Sequence, residues 1–398
     1  MHDILLVINA GSSSLKFQLY EIQESDTLAL MYGGQVSGIG GAHPNFKVRD
    51  AAGSVLVDRD LPATDAADLG SAQQTLAQWL GSRIDRQPIA VGHRIVHGGA
   101  RMSDSIVVNN AVLEYLDSLS PLAPLHQHNN LAPVHVIHKQ WPEIVQVACF
   151  DTAFHRTHDN MVDRFALPES FYERGVRRYG FHGLSYDYIA QYLREHLPEV
   201  AAGRVVAAHL GSGASACAMI NGRSVESTMG FTALDGLPMG TRPGRLDAGV
   251  VLWMLEQGMT HDEIQHVLYA ESGLKGLSGI SADVRDLLVS GAPAAKLALS
   301  YFAYRTAESI AGLCVASQGL DSLVFTAGVG ENSPPVRAAT CAHLGWLGLK
   351  LDDALNQEDS VCISSSDSRI GVYVVPTNEE YVIARQTLAK IRPVAGVR

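Results

Sequence analysis

Residues 4–10 are apolar apart from Asn9, a Gly-Ser-Ser-Ser turn follows, and residues 15–20 then alternate strictly in polarity. Leu15, Phe17 and Leu19 share one face and Lys16, Gln18 and Tyr20 the other, which predicts a two-stranded hairpin. Ala72, Leu76, Leu80 and Ile84 recur every fourth residue and predict a helix over 71–84, with Ser71 and Gln74 at capping-box spacing. Strand-like runs occupy 89–96 and 144–150, and a helix over 185–197 carries Ile189, Leu193 and Leu197 on one stripe. Strands and helices alternate, so the fold class is α/β.

The second half begins with the same device. An apolar strand over 205–210 is followed by the small turn Gly211-Ser212-Gly213-Ala214-Ser215, a returning strand over 216–220, and an Asn221-Gly222 hairpin signal. One strand–turn–strand unit in each half, about two hundred residues apart, predicts two related domains with a nucleotide-holding cleft between them. A third glycine turn, Gly328-Val329-Gly330-Glu331-Asn332-Ser333, follows a strand over 323–327 and precedes Pro334 and Pro335, where a helix can start. A long helix over 293–317 and a strand over 371–375, leading to an Asn378-Glu379-Glu380 turn, complete the pattern.

At 398 residues the chain is long enough for two domains, and 46% apolar residues can fill both cores. The net charge of -11, with Lys and Arg dispersed singly, excludes an electrostatic footprint for nucleic acid. The five cysteines (149, 217, 314, 341 and 362) form no CxxC pair and read as reduced core thiols of a cytoplasmic protein. No segment approaches the ~20 apolar residues of a membrane span. Asp3 and a short apolar run do not make a signal peptide.

Gly11, Ser12, Ser13 and Ser14 offer backbone N–H groups and hydroxyls without bulk, and Lys16 adds a point charge, the parts of a phosphate cradle. An ordinary Ser/Gly hairpin has the same composition. A Walker A loop is excluded, because Lys16 stands at the second glycine of that motif and a strand follows. Gly211, Gly213 and Ala216, with Glu226 beyond, fit a loose dinucleotide fingerprint, but a strand continues where a helix must open.

Asp151 follows a buried strand, where open α/β sheets place ligands, although a helix N-cap has the same signature. Arg94 lies among apolar residues and needs an anionic partner, either a ligand or a structural ion pair. Arg242 sits in Met239-Gly240-Thr241-Arg242-Pro243-Gly244, small enough for close ligand approach. His182, between Phe181 and Gly183, is either a donor to developing charge or a satisfied core histidine. The pairs His126/His128, His135/His138 and His155/His158 lack the thiolates or HExxH helix of a zinc site. Two arginines, one lysine and three glycine turns suit phosphoryl transfer, which needs positioning and charge neutralisation. The metal would be Mg²⁺, with Mn²⁺ as its substitute, on a few hard oxygens from Asn9, Asn378, Glu379 or Glu380.

The segments VINAGSSSLKF, GHRIVHGG, PLAPLH, FDTAFH, YGFHG, HLGSGAS, GLPMGTRPG, SGISADVRDL, FTAGVGENS and VPTNEE, in this order, resemble the acetokinase family of the actin, hexokinase and Hsp70-like superfamily. The resemblance runs nearly end to end. It implies two duplicated actin/ribonuclease H-like domains around a central active-site cleft, 1–150 plus 380–398 and 151–379, the second binding nucleotide and forming a homodimer. It implies reversible Mg²⁺-dependent transfer of the ATP γ-phosphoryl to acetate, giving acetyl phosphate and ADP. A propionate or broader short-chain acyl kinase and a non-catalytic actin- or Hsp70-like nucleotide-binding protein are the alternatives.

On the matched motifs, the resemblance gives the metal to Asn9 and Glu379 and phosphate to Ser12, Ser14 and Lys16. Arg94 would hold the carboxylate in a pocket lined by Val96, Leu125, Phe181 and Ala233. Asp151 takes the family's catalytic acid/base position, and His182 and Arg242 stabilise the transition state. Nucleotide contacts fall on His209, Leu210, Gly211, Ser212 and Gly213, on Asp283, Val284 and Arg285, and on Gly328, Val329, Gly330, Glu331 and Asn332. A carboxylate acceptor is already ionised near neutral pH, so Asp151 is expected to orient the site instead of removing a proton. Three positions depart from the family pattern: Ser212 for its usual Asn, Ala233 for a common Pro, and Arg245 for an acidic residue.

Overall fold

The computed structural model describes residues 2–11, 13–24, 26–123 and 126–392. Two compact units emerge: Met1–Ala153 with Asn378–Arg398, and Phe154–Thr377. Asp151 and Glu379, which boundaries at 150 and 380 give to the second domain, are therefore parts of the first unit.

Among the described residues the first unit is built on β1 (Ile4–Ala10), β2 (Ser14–Ile22), β3 (Leu28–Ser37), β4 (Asn45–Asp50), β5 (Val55–Asp60), β6 (Ala90–Ile95), β7 (Ile106–Val107) and β8 (Val145–Phe150). Their order in the sheet is β5-β4-β3-β2-β1-β6-β8-β7. β1, β6 and β8 run parallel while β2 to β5 meander antiparallel, so the C-terminal ends of β1, β6 and β8 share one edge.

The pleat sorts the side chains. Ile4, Leu6 and Ile8 of β1 join Leu15, Phe17 and Leu19 of β2 in a core closed by Leu76, Trp79 and Leu80 of helix Leu69–Gly81. Asn9, and Lys16 opposite it in register, point to the other face. The C-terminal helix Glu379–Ile391 covers that face, and a Cβ at Gly92 of β6 would lie 2.2 Å from Thr387 Oγ1, so glycine is what lets the helix seat. Tyr20, on the strand face read as polar, is buried with its ring 6.3 Å from Tyr381 of this helix.

Helix Leu69–Gly81 starts two residues earlier than its periodicity predicts. Asp68 is its N-cap and forms the capping box with Ser71, which leaves Ser71 unavailable as the cap for Gln74.

The second unit carries β9 (Arg204–Leu210), β10 (Ala214–Ile220), β11 (Arg223–Ser227), β12 (Ser322–Thr326) and β13 (Gly371–Val374), in the order β11-β10-β9-β12-β13. β9 pairs antiparallel with β10 and parallel with β12, which pairs parallel with β13. That is the order and sense of β3-β2-β1-β6-β8, so the duplication expected from the two turns is a duplication of topology. Helix Gly183–His196 packs Tyr186, Ile189 and Leu193 against Val205, Ala207, Cys217 and Met219, and Pro293–Ser317 contacts β9, β10 and β11.

Two segments read as turns are helical. Residues 327–332 form helix Ala327–Asn332, and Asn378 is the N-cap of the C-terminal helix, accepting from Tyr381 N.

Candidate active site

In the first unit the polar residues of the sequence motifs gather where the parallel strands end. Arg94 and Asn9 share the face under the C-terminal helix, and Asp151 follows β8, two residues after Cys149, whose partner in register is Arg94. Asp151 is 1% exposed and grips Arg94 bidentately, Nε to Oδ1 at 3.0 Å and Nη2 to Oδ2 at 2.7 Å. Arg94 Nη1 also donates to Asn9 Oδ1 (3.4 Å), and its Nε lies 3.9 Å from Glu379 Oε2. Asn9 Nδ2 donates to Glu380 Oε1 at 3.0 Å.

This cluster is rich in negative charge. Burial, and then the charges of Asp151 and Glu380, push the Glu379 carboxyl up to about 7 against the pull of Arg94 and Lys16. Burial would lower Arg94, but Asp151, Glu379 and Glu380 hold its guanidinium firmly charged. The oxygens of Asn9, Glu379 and Glu380 are hard donors that want a cation, and Mg²⁺ takes only one or two carboxylates while keeping its waters.

Lys16 is exposed on β2. Ser14 begins that strand, and its carbonyl accepts the Gly11 N–H at 2.8 Å to close the turn. Val96 is buried, its N–H donating to Asn130 Oδ1 at 2.8 Å. Ser12 and Leu125 lie outside the described residues.

The second unit gathers another set. His182 opens helix Gly183–His196 in the left-handed region (φ 56°), its Nδ1 2.8 Å from Ser215 Oγ. Its ring stacks on His209 with centroids 4.1 Å apart, and His209 Nδ1 lies 2.9 Å from Ser185 Oγ. A Cβ at Gly213 would meet Arg242 Nη2 at 3.2 Å and His182 Nε2 at 3.3 Å, so both side chains converge on this turn. Arg242 donates from Nη1 to the Ala233 carbonyl (2.9 Å) and has no carboxylate partner among the described residues. Burial lowers its pKa, as for a cation lacking its anion.

Leu210 is buried at the end of β9, Gly211 donates its N–H to the Gly213 carbonyl at 3.0 Å, and Ser212 is exposed. Phe181 is buried and Ala233 half-buried. Asp283 caps the short helix Val284–Val289 and pairs with exposed Arg285. Gly328 and Asn332 are exposed on helix Ala327–Asn332, with Val329 half-buried and Gly330 buried. The Glu331 carboxylate accepts from the N–H groups of Ala327 (2.8 Å) and Thr377 (3.0 Å), so it ties the start of that helix to the segment after β13.

Sequence reasoning singled out neither Asn130, which joins Val96 N–H to the Ala10 carbonyl, nor Ser215, nor Arg337, fully buried against the carbonyls of Gly330 and Glu331. Buried polar residues at the ends of core strands and helices were the available signal.

The acetokinase family profile matches residues 4–385. A relative named acetate kinase from Nitrobacter hamburgensis is 51% identical over 97% of this chain and 96% of its own. Among solved structures, Porphyromonas gingivalis acetate kinase superposes with a TM-score of 0.85 at 35% identity, covering 98% of this chain and 100% of its own. A propionate kinase from Francisella tularensis gives 0.88 at 32% identity, covering 97% and 99%. With the ordered motifs folded into the same duplicated sheets, these matches show that the chain belongs to the acetokinase family.

Proposed function

We propose that this protein transfers the γ-phosphoryl of ATP reversibly to acetate, giving acetyl phosphate and ADP. The observation that carries the reading is Arg242, a desolvated cation without a carboxylate partner among the described residues, aimed with His182 Nε2 at the Gly213 turn. A transferring phosphoryl group is the anion such a pair suits, since its charge spreads over equatorial oxygens in the transition state.

Arg94 takes the acceptor carboxylate. Asp151 fixes the guanidinium plane so that one oxygen of the acid is presented in line, with no proton to remove. Asn9 and Glu379 are the residues to hold Mg²⁺, and Glu380 orients Asn9. Bound there, the ion supplies charge neutralisation on the nucleotide phosphates. Lys16, Ser12 and Ser14 serve phosphate, and the turns at 209–213, 283–285 and 328–332 serve the nucleotide. Glu331 does so through the backbone it ties.

The protein acts as a homodimer. Helix Ala248–Glu256 (AGVVLWMLE) has no buried residue, and Leu252, Trp253 and Leu255 are each at least half exposed, which suits a second copy of the chain.

Trapping the product with hydroxylamine while comparing kcat/KM for acetate, propionate and butyrate tests the acceptor. Acetate should lead. Ala233, smaller than the family's proline, makes propionate the second reading, and a clear propionate preference would reassign the substrate while leaving the mechanism.

A further inference from the structure

We propose that His155 is a positioning residue for phosphoryl transfer: a buried chain, His155–Ser224–His158, holds the left-handed turn that presents His182. The inference rests on the reading of His182 as a group that touches the transferring phosphoryl. His155 and His158, a pair whose sequence lacks the other features of a zinc site, both converge on a serine. Ser224 Oγ lies 2.8 Å from His155 Nδ1 and 2.8 Å from His158 Nε2.

The proton pattern of this chain follows from its far end. His155 Nε2 lies 2.9 Å from the Phe181 carbonyl, which can only accept, so Nε2 carries the hydrogen. Burial, and then the neighbouring His158, hold His155 neutral. Its Nδ1 is then an acceptor, filled by the Ser224 hydroxyl, and Ser224 in turn accepts from His158 Nε2–H. Cys217 Sγ, 3.2 Å from Ser224 Oγ, packs on the same cluster. The ring of His155, fully buried, is thereby locked in orientation.

What it locks is the segment Gly180-Phe181-His182. Gly180 has φ 72°, and a Cβ there would lie 2.5 Å from the His155 ring, so the backbone is pressed against the imidazole. Phe181 is held by its carbonyl. His182 then takes φ 56°, a left-handed conformation that is unfavourable for a non-glycine residue and persists only where the surroundings impose it. His155 also packs edge-on against Tyr186 (5.7 Å), whose hydroxyl lies 2.6 Å from the same Ser215 Oγ that meets His182 Nδ1. Both the backbone and the ring of His182 therefore trace back to His155.

The test is a double-mutant cycle of His155→Leu and His182→Ala, with His155→Gln as the rescue variant. Gln places an amide N–H where His155 Nε2–H stood and accepts from Ser224. His155→Leu should lower kcat about 10²-fold, the cost of a small misplacement, with KM for ATP little changed. His155→Gln should recover most of that loss. In the His182→Ala background, His155→Leu should cost nothing further. Should His155→Leu fail to fold, Ser224→Ala takes its place in the cycle, with a smaller loss and the same coupling. A full additive loss in the His182→Ala background, or no rescue by Gln, would overturn the positioning role. Wild-type kcat in His182→Ala would instead overturn the reading of His182 on which the inference stands.

Discussion

Asp151 and Arg94 are 57 residues apart in sequence yet share two hydrogen bonds. The parallel pairing of β6 and β8 brings them together, and no local pattern encodes it. Each residue was legible alone, Asp151 as a strand-end carboxylate and Arg94 as an arginine in apolar surroundings. The ionised state of a carboxylate acceptor already favoured an orienting Asp151; that its partner is Arg94 was not legible. Asp151→Asn should lower kcat about 10²-fold by loosening the guanidinium. The acidic limb of the pH–rate profile should persist, moved to lower pH because Glu379 loses one of the charges that raise it, whereas loss of that limb would mark Asp151 as a base.

His93, next to Arg94 but on the opposite face, makes a second prediction at this scale. Burial lowers its pKa from 6.5 to about 4, partly offset by its hydrogen bond to Gln146. The unfolded chain therefore binds the extra proton first, and stability falls as pH drops from 6.5 toward 4. At 1.36 kcal/mol per pKa unit the loss is about 3 kcal/mol. Denaturant titrations of wild type and His93→Gln across that window should show the variant with the shallower acid dependence. Parallel curves would remove His93 from the account.

At the level of elements, periodicity found the helices Leu69–Gly81, Gly183–His196 and Pro293–Ser317 but not Gln127–Gln140 and Glu379–Ile391, which are as long as the first two. Helix Pro293–Ser317 has the bounds that its sequence predicts. Ala327–Asn332 reads as a turn because two of its six residues are glycine, poor helix formers. Side-chain bonds to its backbone hold it as a helix: the Glu331 carboxylate on the Ala327 N–H at its start, and Arg337 Nη1 on the carbonyls of Gly330 (2.9 Å) and Glu331 (2.8 Å) near its end. Arg337 also bonds Asn356 through Nε and Nη2. Arg337→Met, leaving those buried carbonyls unpaired, should cost about 3 kcal/mol or more in chemical denaturation. A change below about 1 kcal/mol would mean that the helix stands without it.

On the scale of the whole molecule, the duplication was visible because each unit opens with its own apolar strand and small-residue turn. The crossing points after Ala153 and Thr377 were not visible, since no change in composition marks them and long-range packing decides which side Asp151 and Glu379 join. The exposed apolar helix Ala248–Glu256 carries the assembly prediction. Trp253→Glu should convert a dimer to a monomer in light scattering at micromolar concentration, and an unchanged mass would place the dimer surface elsewhere or remove it.

The central claim is that ATP is consumed only by passing its γ-phosphoryl to a carboxylate. The most direct measurement follows ADP and trapped acyl hydroxamate together, with Mg²⁺ present and with or without acetate. The account predicts equal amounts of the two products when acetate is present, almost no ADP when it is absent, and a kcat reduced about 10³-fold in Arg242→Ala. ADP formation at the same rate without any carboxylate, or with acetate but no hydroxamate, would contradict it.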